Sequence, residues 1–181
     1  MPRDPAKVGR QGIRMRAFVW ALSACAIAMP SHAEPPKVRA LGDIYKAGFH
    51  DCAPAMEKFV QFVHENDASY SYVGKFALER ANESSAGAVT VEKFADGQGV
   101  ATITGTKNAA GKCDVVLTHT LMIPDQTCEA LRNSALKEWK FFSQMNETGV
   151  YEDPTTPNGH AFLSPIGKGC LLVKHLIGYG V

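Results

Sequence analysis

The chain has few of the features from which an activity is usually read. It has no C-x-x-C pair, no Gly-x-Gly-x-x-Gly opening a helix, no phosphate-binding P-loop and no Gly-x-Ser-x-Gly elbow. Finger-type zinc sites, nucleotide cofactors and the strand–turn–helix nucleophile therefore have no local support. Its carboxylates are scattered, and no spacing sets two of them across a cleft as paired-carboxylate catalysis requires. The reading implies no cofactor and no metal. Long apolar runs are also missing: nothing reaches the roughly 20 residues that cross a bilayer.

What the N-terminus does contain is an export pattern. Arg14 and Arg16 precede an apolar run over residues 17–29, and Pro30-Ser31-His32-Ala33 follows it. Small residues at Ser31 and Ala33 match a signal-peptide cleavage site, which makes residues 1–33 a secretory leader and 34–181 a single mature domain. Met15 is an alternative start. A rival reading lies in Leu22-Ser23-Ala24-Cys25, which resembles a lipobox and would leave a lipid anchor on Cys25. Loss of residues 1–33 takes five of the 19 basic and one of the 18 acidic side chains, leaving a formal net charge of −3. No basic cluster survives, so a nucleic-acid partner lacks its electrostatic footprint.

Beyond the leader stand four cysteines: Cys52, Cys113, Cys128 and Cys170. An even number in an exported chain argues for two disulfides and a periplasmic or secreted location. Three pairings are open. A weak echo, Gly111-Lys112-Cys113 against Gly169-Cys170 with a histidine five or six residues on, is compatible with adjacent strands and makes Cys113–Cys170 a reasonable pair. Strand parity puts Cys113 and His119 on one face but Cys170 and His175 on opposite faces, so the echo is not a repeated ligand pair.

Glu34 to Ala40 reads as an extended lead-in because of its successive prolines. Asp51 is placed to cap a helix over residues 53–65, with Met56, Phe59, Val60 and Val63 on one stripe and Asn66-Asp67 ending it. Tyr70, Tyr72, Val73, Phe76 and Leu78 suggest a first strand, and residues 80–87 a polar loop. Residues 87–123 then give strands broken at Asp96-Gly97 and at residues 107–112. Short turns make these strands antiparallel. Asp125 is placed to cap a second helix over residues 126–144, with Leu131, Leu136, Trp139 and Phe142 on its apolar face. A surface loop at residues 153–159 and two strands, 160–165 and 170–177, complete the chain. The fold class that results is α+β, an antiparallel sheet of five or six strands with two helices packed on one face and two disulfides.

Two local groups invite a chemical reading. Cys52 stands at a helix start beside His50, where a thiolate can be activated, but in an exported chain it is better explained as half a disulfide. His119 lies on a strand without a hydroxyl elbow, as a sheet residue does. Asn82 and Asn146 open N-glycosylation sequons, a short pattern common by chance. More aromatics are present than one apolar stripe per element needs, and Tyr70, Tyr72, Trp139, Phe141 and Tyr151 are candidate binding residues. The leading functional expectation is a non-catalytic exported protein that binds a protein partner: an inhibitor, an immunity-type protein or an envelope-assembly accessory. Alternatives are a small-molecule or lipid carrier with a cavity lined by Phe59, Val63, Ile103 and Trp139, and a small hydrolase using His119 or His50.

Intact mass after alkylation, with and without reduction, checks the cysteine reading. Four thiols should react only after reduction; a thiol at Cys52 that reacts without it would return the nucleophile to consideration.

Overall fold

β-Branched residues recur between Val89 and Ile123, and there the chain extends into its longest strands. The computed structural model of the protein describes residues 39–61, 70–75, 77–94 and 97–181. In chain order these form α1 (Arg39–Lys46), α2 (Ala53–Gln61), β1 (Tyr70–Lys75), a 3-10 turn (Leu78–Glu83), β2 (Ala86–Lys93), β3 (Gln98–Lys107) and β4 (Cys113–Ile123). The second part contains α3 (Cys128–Ala135), β5 (Lys140–Met145), β6 (Thr148–Glu152), β7 (Gly159–Ile166) and β8 (Gly169–Gly178). The strands make one antiparallel sheet in the order β1-β2-β3-β4-β8-β7-β6-β5.

That order is two four-stranded meanders joined through their last strands, β4 and β8. A helix precedes each meander and is tied to its last strand by a disulfide. Cys52, just before α2, bonds Cys113 at the start of β4; Cys128, at the start of α3, bonds Cys170 at the start of β8. The Cα–Cα separations of 5.5 and 5.0 Å are ordinary for such bridges. The two halves are thus related by an approximate two-fold axis near the β4–β8 pair Thr118↔His175.

The three described α-helices cover one face. Leu41, Ile44, Phe49 and Met56 pack with Ile103, Val115 and Leu117 in a first cluster. Leu131 and Leu136 pack with Leu163 and Leu172 in a second, with Leu121 and Ile123 against it. Alternate residues of β4, from Cys113 to Ile123, supply both clusters and therefore face the same way. The opposite face carries exposed Val73, Val89, Val91, Val100 and Val116.

Several expectations need correction. The described residues form eight strands, not five or six, because the segment read as a helix over 126–144 is helical only to Ala135 and then forms the β5–β6 hairpin. Ser134 Oγ–H donates back to the Ala130 carbonyl at 2.9 Å, a bond that loosens a helix end. Asn146 takes a left-handed φ of 53° in the two-residue turn, a conformation Asn tolerates. Thr127, not Asp125, caps α3, its Oγ1 accepting from Ala130 N–H. A third helix, α1, begins within the expected lead-in, placing Leu41, Ile44 and Tyr45 on one side at i, i+3 and i+4.

The Cys113–Cys170 pairing also fails. β4 and β8 are neighbours, as the echo suggested, but they run antiparallel, so their first residues lie at opposite ends of the sheet. At α2 the first helical bond runs from Met56 N–H to the Cys52 carbonyl, while Asp51 accepts from Lys107 Nζ at 2.7 Å instead of capping. Val63 and the expected helix stop at Asn66-Asp67 lie outside the described residues, as do Phe76 and the leader.

Removing either disulfide as a Cys→Ala pair should destabilise the fold by about 2–5 kcal/mol, since each closes a long loop in the unfolded chain. Denaturant unfolding of the two double variants checks this. Equal losses within about 1 kcal/mol are expected, because separations of 61 and 42 residues differ little in closure entropy.

Candidate functional site

The sheet brings three of the five aromatic candidates to one corner. Trp139 sits on the turn between α3 and β5 and packs partly buried against the second cluster. Tyr151 on β6 is buried, and Phe141, its partner across the β5–β6 ladder, stands 58% exposed with the two rings 5.7 Å apart edge to face. Gly149 makes room for that tyrosine: a Cβ there would lie 3.0 Å from the ring. The other two candidates are elsewhere. Tyr72 is half-buried on β1, its hydroxyl donating to Asp43 Oδ2, and the side chain of Tyr70 lies outside the description.

β5 is an edge strand of the described sheet, so its outer row of backbone N–H and C=O groups has no neighbouring strand there. Phe142, at the register shift, carries its ring on the other face, 6.0 Å from the His160 ring. Phe142 and Met145, each 59% exposed, thus flank the edge on one face and Phe141 on the other. Neither Phe142 nor Met145 was among the candidates. The missed signal was Met145-Asn146-Glu147-Thr148, a two-residue hairpin with Asn at the left-handed position, which makes the preceding residues a strand with alternating faces.

Inside the sheet, between the two apolar clusters, lies a buried polar pair. His119 Nε2 and Glu92 Oε2 are 3.1 Å apart, with Glu92 wholly buried and His119 7% exposed. Thr90 Oγ1 donates to the other carboxyl oxygen at 3.4 Å. Gly99 lies between the two strands that carry the pair. A Cβ there would meet Leu121 Cδ2 at 2.9 Å and both polar atoms at 3.2 Å. His119 of the pair borders a cavity of about 60 Å³ that Leu117, Trp139, Asp153, Thr156, Lys174 and Leu176 complete. A carboxyl behind an imidazole orients a base, but among the lining residues the hydroxyl is that of Thr156, which donates to Asp153.

At Asp153, burial pushes the carboxyl up, but hydrogen bonds from the side chains and backbones of Thr155 and Thr156 outweigh it and hold the group below its ordinary value. The other sequence candidates stay apart. Cys52 is bridged to Cys113, and His50 stacks edge to face on Tyr45 at 4.4 Å. Of the residues expected to line one cavity, Phe59 and Ile103 belong to the first cluster, Trp139 to the second, and Val63 lies outside the described residues. Among the described residues no group of three His, Cys, Asp or Glu side chains is placed to hold a metal ion, and no helix is long and apolar enough to cross a membrane. No family model, curated protein or solved structure matches the chain.

Two outcomes follow from this geometry. Gly99→Ala should cost about 1–3 kcal/mol by overpacking, and Glu92→Ala about 3 kcal/mol or more by leaving His119 buried without its partner; urea titrations check both. A depressed carboxyl pKa contributes stability above the unfolded value near 3.8 that is lost as pH falls through the folded value. The 153–159 loop should therefore keep its native amide shifts at pH 5 and lose them only below the ordinary value near 3.8 in an NMR titration. Asp153→Asn should abolish that transition.

Proposed function

We propose that the mature chain is a non-catalytic, exported protein-binding domain whose docking surface is the β5 edge. The observation that carries this is the exposure of Phe141, Phe142 and Met145 on both sides of an edge strand. Natural sheets usually blunt their edges with charge, proline or a covering element. Along β5 the single charged residue is Lys140, at the far end from the hairpin. Aromatic anchors around a free backbone edge are the chemistry of a surface that takes a polypeptide. The export pattern over residues 1–33 and the two disulfides support placing that partner in the periplasm or outside the cell. An inhibitor, an immunity-type protein or an envelope-assembly accessory would bind in this way.

The test is a photo-crosslinking amino acid at Phe142, with Val73 on the opposite edge strand as control, in the chain exported by its own leader. A discrete adduct with one other protein is expected from position 142 and not from 73. Phe141→Ser with Met145→Ser should reduce its yield about tenfold or more at unchanged melting temperature, since anchor residues cost about 2 kcal/mol each. Equal labelling at both edges, no discrete adduct, or an adduct composed of two copies of this chain would overturn the proposal.

A further inference from the structure

The two halves are not equally covered. In the first, α2 packs on β3 and β4 while α1 packs on β1 and β2. In the second, α3 packs on β7 and β8, the positions that match β3 and β4. The β5–β6 end has no described helix seated on it as α1 is seated on β1–β2. Chain length explains the difference. Twenty-three described residues precede β1 and hold both α1 and α2, whereas Pro124–Trp139, between β4 and β5, hold α3 alone.

At the position matching α1 lies an open groove of about 240 Å³, between α3 and the β5–β6 hairpin. Tyr151 and Leu163 form its apolar floor. Glu129 and Arg132 of α3 stand on one wall, and Gln144 and Glu147 of the hairpin on the other. Phe141 adjoins it across the ring contact with Tyr151. The first half indicates what such a seat accepts: α1 is eight residues long and turns Leu41 and Ile44, one helical turn apart, fully into the core.

Resting on the protein-binding reading above, we infer that this groove receives a short amphipathic helix of the partner, laid where α1 lies in the other half. Two aliphatic side chains three residues apart meet Tyr151 and Leu163. The polar side of the helix lies between Glu129 and Glu147, where a basic residue is favoured, and Arg132, which favours an acidic one. The floor is already partly filled by the Tyr151 ring, so the contact is shallow and suits a reversible partner rather than a permanent subunit.

The probe is a fluorescent, side-chain-stapled helical peptide carrying the α1 sequence RALGDIYK, added to isotopically labelled mature protein. Saturable amide shifts are expected at Glu129, Arg132, Gln144, Glu147 and Gly149. Gln144→Trp, an exposed change that closes the groove mouth, should weaken binding about tenfold, or about 1.4 kcal/mol. The peptide should also lower the yield of the Phe142 crosslink. Shifts confined to β1–β2, shifts along β5 alone, no saturable shift, or affinity indifferent to Gln144→Trp would overturn the helix seat. A Phe142 adduct at undiminished yield in Gln144→Trp would do the same while leaving the protein-binding reading in place. Absence of any adduct would remove both.

Discussion

The ladder between β4 and β8 is the interaction on which the rest depends. It runs from Val115↔Gly178 to Ile123↔Cys170 and is the join between two meanders that otherwise pair only within themselves. Because the pairing is antiparallel and in register, the core-facing residues of both strands fall on one face. Leu117 stands opposite Leu176 for the first cluster and Leu121 opposite Leu172 for the second. A one-residue slip would turn one strand's apolar row outward, so burial of these side chains is what holds the register.

The same ladder carries the polar interruption of the core. His119 falls between Leu117 and Leu121 on β4, opposite Lys174, and reaches Glu92 across the space that Gly99 leaves. A buried carboxyl–imidazole pair is seldom the most stabilising choice for such a position, but once present it cannot lose one member cheaply. Here it lies at the seam between the clusters, where neither apolar group closes the gap. The approximate two-fold symmetry is not kept by the side chains: Thr118 and His175, which pair at the axis, are chemically different, and the helix cover of the two halves differs as well.

Much of the first half was legible from residue pattern. The strand 113–123, the turn at Asn108–Lys112 and the core-facing Ile103 follow from alternation and turn chemistry. The faces of β2 were not legible. Val89 and Val91 look like core residues, yet they are exposed, and Ala86, Ala88, Thr90 and Glu92 turn inward because α1 lies close over small side chains. In the second half, period 3.6 and period 2 compete over a short apolar run. Leu131, Leu136, Trp139 and Phe142 fit a helix as a pattern, but pairing with β6 takes up the chain on either side of Phe142, at Phe141 and Ser143, in a hairpin that a single Asn permits.

The candidate site divides along the same line. Its aromatic content could be counted, and Trp139, Phe141 and Tyr151 were picked out by type. Their gathering at one corner, the inclusion of Phe142 and Met145 and the exclusion of Tyr72 depend on strand order, which no local pattern encodes. By itself the sequence determined the α+β composition, the oxidised state of four cysteines and the antiparallel sense of the central strands, because these rest on residue type and short-range spacing. Only the tertiary structure decided which cysteines meet, that the sheet has eight strands and that β5 lies at its edge. Those outcomes are set by which β-strands share a ladder, a choice made between segments tens of residues apart by the burial of one common face.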